Sequence, residues 1–328
     1  VQPSCDFELD YAEFLDDALV EAWELKTSFG KNDDKEPAGR EWWILKPGMS
    51  DRGQGIRLFS TEAELQSIFE QWEAERPDSD DEEEANGNKD ETKTAPLEEH
   101  DQQISNDYIM TSQLRHFVAQ PYIHPPLLLP SNPHKFHIRT YVLALGSLKI
   151  YVYRPMLALF ASEPYHAPWE TSSLLAHLTN TCLQDGSARD GAVQAFWSLP
   201  PAIPALALPA GVEDWREHVF AQICDVTGEI FEAAARGQMV HFQTLPNAFE
   251  VFGVDFLVDA EGAAWLLEVN AFPDFKQTGE ELQGLITGLW EGVVDVAVGP
   301  FFGVEAVGKE EGRENGMTLV RELDLGRR

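Results

Sequence analysis

The sequence predicts an α+β fold: mostly antiparallel sheet with flanking helices. Three observations carry this reading. Runs of strand character follow one another across tight turns, at Gly146-Ser147 and at Asp259-Ala260-Glu261-Gly262. Helical periodicity is confined to a few separate stretches, and there are no internal repeats. The 328 residues, 43% hydrophobic and 11% aromatic, are enough for one large domain or two lobes with a proper core.

Taken in order, Phe7 to Leu25 reads as an acidic amphipathic helix with Phe7, Tyr11, Phe14, Leu15, Ala18 and Leu19 on one side. Lys31 to Gly39 is polar and breaker-rich, hence a loop. Trp42–Lys46 and Ile56–Phe59 read as strands around a Gly-rich turn, and Thr61-x-x-Glu64 is a capping box opening a helix to about Glu75. Glu73 to Asp101 holds thirteen acidic residues against three basic, a net of −10 with little apolar content, which predicts a solvated, disordered insertion over about 76–107. Strands are expected at His116–Ile123, Phe136–Leu145 and Leu148–Leu157. Pro200–Gly211 reads as a surface loop, and Val212–Arg236 as a helix stopped by Gly237. A hairpin of Glu250–Val258 and Ala264–Asn270 and a helix from about Gly279 to Val298 complete the pattern. The expected domains are a helix and linker over 1–40, left from an upstream region, a body over 41–300, and a charged tail over 301–328.

The formal charge of −32 argues against direct contact with nucleic acid, which needs a basic footprint. No run of about 18 or more apolar residues predicts a membrane span. The opening Val1-Gln2-Pro3 is neither an initiator Met nor a signal peptide, so the chain is expected to be part of a longer polypeptide. Cys5, Cys182 and Cys224 lie far apart, which suits a reducing compartment and neither a disulfide framework nor a zinc site; Cys182 is read as a small buried apolar group rather than a nucleophile.

Three groups could carry chemistry. Asp255 lies in one strand of the last hairpin, and Glu268 and Asn270 lie two apart in its partner, on one face by the strand period. Two carboxylates and an amide oxygen in an apolar stretch suit Mg²⁺; equally, they could be edge residues facing water. Lys135, His137 and Arg139 alternate with Phe136 and Ile138, so they share the face opposite the core. An anion such as a triphosphate would relieve their repulsion, whereas a solvated basic face would need none. Lys46 precedes a turn with Gly48, Gly53 and Gly55, where backbone N–H groups can approach a phosphate, or which is simply flexible; it lacks the G-K-[ST] of a P-loop.

WWILKPGMSDRGQGIRLFS (Trp42–Ser60), KFHIRTYVL (Lys135–Leu143), HLTNTC (His177–Cys182) and VFGVDFLVD…WLLEVNAFP (Val251–Pro273) resemble, in order, the signatures of the tubulin-tyrosine-ligase-like family. The match points to its fungal branch, in which this domain follows a SurE-like phosphatase domain in a P-body-associated protein. The resemblance implies an ATP-grasp fold with nucleotide held between two lobes, and ATP with Mg²⁺ as cofactors. Lys46 and Lys135 match the phosphate-binding lysines; Gln120, Tyr122 and Ile123 match the adenine hinge; Arg139 matches an active-site arginine. His137, His177, Thr179 and Asn180 line the site near ribose and phosphates, and Asp255, Glu268 and Asn270 match the metal ligands. The implied activity joins an amino acid and a protein or peptide acceptor through an acyl phosphate. The alternative it implies is an ATP-binding, ligation-deficient module that meets mRNA-decapping proteins in cytoplasmic P-bodies. Three positions depart from the pattern: Pro121 stands for a Lys, His137 for an Asp, and Leu159 for the Arg of tyrosinating members.

Overall fold

Buried and half-buried residues alternate through β2 (Trp43–Pro47), because Trp43 and Leu45 turn inward while Ile44 and Lys46 turn out. The computed structural model describes residues 3–48, 53–75, 115–179, 191–273, 275, 282–304 and 315–325. They fall into two compact units, Pro3–Tyr122 and Ile123–Arg328. The acidic insertion, Cys182 and the tip of the turn over 49–52 lie outside the described residues.

In the smaller unit β2 pairs antiparallel with β3 (Arg57–Phe59) and β4 (His116–Pro121). β1 (Cys5–Glu8) joins the far side of β4, giving the order β1-β4-β2-β3. The Gly-rich turn closes with Gly53 and Gly55 at φ of +80° and +69°, a region that strains other residues. Helix α3 (Glu62–Ala74) starts as predicted: the Thr61 side chain accepts from the Glu64 N–H, and the Glu64 carboxylate accepts from the Thr61 N–H.

The amino-terminal stretch corrects its expectation. Instead of one helix over Phe7–Leu25 there is strand β1, then α1 (Leu15–Glu21) and α2 (Trp23–Asn32), separated at Ala22 by a non-helical ψ of 56°. Cys5, Phe7 and Leu9 follow a period of two, which pairs with β4 and overrides the helical spacing. Nor are residues 1–40 a helix and linker apart from the body, since Phe7, Leu19, Leu25 and Phe29 share one core with Trp43, Phe59, Phe69 and Phe117. Phe69 meets Phe117 edge-to-face with centroids 5.0 Å apart.

The larger unit is organised on β5 (His134–Leu145). Along one side it pairs with β9 (Phe249–Val258), which pairs with β10 (Ala264–Asn270). Along the other side β7 (Leu157–Pro164) takes its first half and β6 (Lys149–Tyr153) its second. β8 (Val193–Ala195) extends β7, and β11 (Met317–Glu322) extends β6. The strand expected over Leu148–Leu157 therefore ends early, β7 is additional, and the expected charged tail supplies a strand whose Arg321 pairs with Glu232.

One face of this sheet is mostly apolar. Phe136, Ile138, Val142, Val254 and Phe256 pack under Trp215, Val219, Ile223 and Phe231 of α4 (Trp215–Gly237). Asp214 caps α4 by accepting the Arg216 N–H, as an N-cap carboxylate should. The opposite face divides. Its far half, with Tyr141, Leu143, Tyr153 and Val251, is covered by Leu289 and Val293 of α5 (Gln283–Val293). α5 runs into a π turn at Val294–Val298, and Gln283–Phe301 together has the length and composition, at a mean hydropathy of 1.2, of a membrane span; its inward face nonetheless packs on this sheet. The near half carries charge.

Candidate functional site

Strand register assembles the charged half. Arg139 of β5 lies directly opposite Asp255 of β9, and Asp255 directly opposite Glu268 of β10, so the three form a row across three strands. The next row holds Gly253 opposite Asn270, and the one before it His137 opposite Leu257. Lys135, His137, Arg139 and Asp255 are buried, with exposures between 4% and 8%, whereas Glu268 is exposed. The solvated-face reading of Lys135, His137 and Arg139 is therefore excluded.

A bulge makes this row possible. Leu266 pairs with Phe256, but Glu268, not Leu267, pairs with Asp255. Unbroken alternation would aim Leu267 at the charged face and send Glu268 into the core beside Val254. The extra residue re-aims the carboxylate, a known use of bulges. The sequence placed Glu268 and Asn270 together but held no visible signal for the bulge.

The charges compensate one another in part. Arg139 grips Asp255 through two bonds, Nε to Oδ1 at 2.5 Å and Nη2 to Oδ2 at 2.9 Å. Burial works to lower the Arg139 pKa, yet the bonds to Asp255 outweigh it and hold the guanidinium above its ordinary range. His137 is the reverse case. Burial, then the Arg139 and Lys135 charges, push its imidazole down to about 3 against the pull of Glu268, so it is neutral at pH 7. Its Nδ1 shares a hydrogen bond of 2.5 Å with Thr179 Oγ1, and its buried Nε2 has no hydrogen-bond partner, lying 3.8 Å from Asp255 Oδ1. A buried polar atom left this way suits a ligand oxygen. His177, also buried, is pushed down to about 4 by desolvation and then by Lys135, and sits edge-on to Tyr165.

Gly253 was missed as a functional position. A Cβ there would stand 3.1 Å from Pro273 Cβ and 3.4 Å from Arg139 Cδ, so its bareness is what lets the arginine lie across the strand. The cue was present in the sequence as a lone Gly inside a strand pattern.

The donor set can be tested against Mg²⁺. Asp255 keeps lone pairs beyond those taken by Arg139, and Asn270 spends its N–H on Glu268 Oε1 at 3.1 Å, leaving its amide oxygen. These are hard oxygen donors, and Mg²⁺ typically takes one or two carboxylates and fills the rest from phosphate and water. Among the described residues no group of three or more His, Cys, Asp and Glu side chains could hold a metal by itself. The set fits a metal that arrives with a phosphate. Leu157 and Leu159 flank Arg139 and His137 on β7 and pack into the apolar half, so position 159 adds no cation.

Lys46, Gln120 and Tyr122 belong to the smaller unit. In the smaller unit Ile44 pairs with Gln120, and Lys46 Nζ donates to Gln120 Oε1 at 2.9 Å. Gln120 Nε2 donates in turn to Ser4 Oγ at 2.9 Å, and the Tyr122 N–H reaches the Trp42 carbonyl at 2.7 Å. Pro121 pairs with Trp43 and has no N–H to offer. Ile123 is buried in the larger unit. Asn180 lies outside the described residues.

Comparison with known proteins places these features in a family. The sequence pattern of the tubulin-tyrosine ligase family matches residues 4–305. A Schizosaccharomyces pombe protein named "Probable tubulin--tyrosine ligase" is 44% identical over 328 residues, 99% of this chain and 74% of its own length. Saccharomyces cerevisiae "Probable tubulin--tyrosine ligase PBY1" is 43% identical over 91% of this chain, which spans 38% of that relative's length. The solved C-terminal domain of K. lactis Pby1, described as an ATP-grasp enzyme interacting with the mRNA decapping enzyme Dcp2, is 35% identical with a TM-score of 0.60, covering 98% of this chain and 71% of its own. With its antiparallel α+β architecture and the ATP-grasp likeness, this chain belongs to the tubulin-tyrosine ligase family.

Proposed function

We propose that the chain is an ATP- and Mg²⁺-dependent carboxylate–amine ligase acting on a protein or peptide. The observation that carries this is the Arg139–Asp255–Glu268 row, with buried Lys135 and His137 beside it on the same face. A buried cation set next to oxygen donors is suited to a polyphosphate and its counter-ion, and phosphoryl transfer asks the protein mainly for positioning and charge neutralisation. Lys135 and Arg139 would neutralise phosphate oxygens, and His137 Nε2 with Thr179 and His177 would orient the nucleotide. Lys46, Gln120, Tyr122 and Ile123 are proposed as further nucleotide contacts, and Asn180 as one beyond the described residues. Asp255, Glu268 and Asn270 would hold Mg²⁺, which when bound supplies Lewis-acid neutralisation of phosphate charge. An acceptor carboxylate oxygen attacks the γ-phosphorus as the bond to ADP breaks. The amine of the incoming amino acid then displaces phosphate from the acyl phosphate and loses its proton to solvent.

One observation favours a second reading. Leu159 is buried and apolar beside His137, at the position where resemblance to tyrosinating members implies an Arg. The chain would then bind ATP without ligating and would serve as an interaction module with mRNA-decapping proteins in cytoplasmic P-bodies; the interaction of the K. lactis relative with the decapping enzyme Dcp2 supports this.

Incubation with Mg-ATP, candidate amino acids and glutamate-rich peptides, read as peptide mass gain and ADP release, separates the two. Mass gain supports the ligase; tight nucleotide binding with neither product supports the module. Glu268→Gln, at an exposed position, is expected to leave stability within about 0.5 kcal/mol while abolishing Mg²⁺-dependent turnover. Unchanged turnover would remove Glu268 from the metal set.

A further inference from the structure

An edge of the smaller sheet is open. β1 is an outer strand, paired with β4 alone. The Leu9 N–H donates to the Arg115 carbonyl at 2.8 Å, which fixes the phase of the ladder. Leu9, Phe7 and Cys5 therefore exchange main-chain bonds with β4, and the N–H and C=O groups of Asp6 and Glu8 point away from it. Beside β1 lies a groove of about 630 Å³, lined by β1, by His116, Phe117 and Val118 of β4, and by α1. Its carboxylates come from two elements, β1 and α1. Asp6 and Glu8 project from the strand, while Asp17 and Glu21, one helical turn apart on α1, form the opposite ledge with Ala18 between them.

Little offsets these carboxylates. Among the described residues His116 lies 3.4 Å from Glu8, no ion pair reaches Asp6, Asp17 or Glu21, and the nearby Arg115 is held by Asp10. Charged side chains on an edge strand can simply discourage pairing with other sheets. That purpose accounts for Asp6 and Glu8. It does not account for the second carboxylate pair, on a helix that lines the same groove.

We propose that the β1 edge docks an extended basic segment of a partner protein, which adds as a fifth strand. Main-chain bonds to Asp6 and Glu8 would supply the pairing, as in other strand-addition complexes. Successive side chains of an added strand point to opposite faces. One set would meet Asp6 and Glu8 and the other Asp17 and Glu21, so the edge selects Lys or Arg at consecutive positions. The chain's own run between Glu73 and Asp101 has the wrong sign to occupy it. This inference is independent of the ligase reading.

The test uses the full chain and a short labelled lysine-rich peptide, its glutamate counterpart, and a version N-methylated at alternate amides. The lysine peptide is expected to bind and to slow amide hydrogen exchange at Asp6 and Glu8. N-methylation should weaken it by about tenfold or more, and so should Asp17→Lys combined with Glu21→Lys, two exposed helical positions whose change leaves the fold intact by circular dichroism. The glutamate peptide should not bind. If the methylated and plain lysine peptides bind alike, attraction is to the overall charge and the docking site is refuted. Binding unaffected by the double charge reversal, or no binding by the lysine peptide, overturns it equally.

Discussion

The two halves of one sheet face differ as much as a core differs from an active site. Both lie on β5 and β9, in rows only a few residues apart. In the far half Tyr141, Leu143 and Val251 meet Leu289 and Val293 from α5. In the near half Lys135, His137 and Arg139 meet Asp255, and four ionisable groups lie buried within three rows. Burying charge costs several kcal/mol per ion before pairing, so the near half contributes less to stability than the same area of Leu and Val. The difference shows where the fold gives up stability for a site that can meet a charged ligand.

The sharpest break in this comparison is to unbalance the near half. Asp255→Ala leaves Arg139 buried without its carboxylate and is expected to cost about 3–5 kcal/mol. Replacing both residues, Arg139→Leu with Asp255→Leu, should recover most of that loss while abolishing nucleotide binding. Urea unfolding of the single and double variants decides it. If the double variant is no more stable than Asp255→Ala, the pair is not a balanced unit.

The far half should respond to volume and not to charge. Leu289→Ala, at a fully buried position, is expected to cost about 3 kcal/mol through lost burial and the cavity left behind. Nucleotide affinity measured by calorimetry should stay near the parent value, because the residue packs on Tyr141 and Val251 and not on the charged rows. A matching loss of affinity would mean that the halves are coupled.

Much of this division was legible in the sequence, because the strand period alone separates Lys135, His137 and Arg139 from Phe136 and Ile138. The capping box at Thr61, the last hairpin and the long helix ending at Gly237 were legible for the same reason: each signal is local. What was hidden depends on partners distant in sequence. The Leu267 bulge exists only in relation to Phe256 and Asp255 on another strand. Strand β1 is an edge strand whose pairing with β4 prevails over an apolar spacing that also fits a helix. Strand β11 lies in a segment whose charge suggested a tail. Nor could composition reveal that the basic stripe is buried, since burial follows from what packs on it.

The near half also predicts a pH response. His177 has a folded-state pKa of about 4, below the ordinary 6.5, chiefly through desolvation. Between those values the unfolded chain binds a proton that the folded chain does not. Its contribution is therefore complete above pH 6.5 and is lost as the pH falls toward 4, by on the order of 2–3 kcal/mol. His177→Gln should flatten that part of the stability profile measured by urea unfolding from pH 7 to pH 4.5. A profile of unchanged slope would place the imidazole in contact with solvent.

Gly253 offers the finest division, because it lies in the row where charged and apolar halves meet, opposite Tyr141 and Asn270. Gly253→Ala puts a methyl 3.1 Å from Pro273 Cβ and 3.4 Å from Arg139 Cδ. The first contact asks the segment after β10 to yield; the second asks the guanidinium to shift from its two bonds to Asp255. Alanine itself suits a strand better than glycine, which offsets part of the strain and leaves a net cost of about 1 kcal/mol. The effect on ligand binding should be larger than that, since a small displacement of Arg139 moves the charge that the nucleotide would meet. A variant that loses nucleotide affinity while keeping nearly all its stability would locate the boundary at this residue. One that loses stability and affinity in proportion would show Gly253 to be a packing position of the far half.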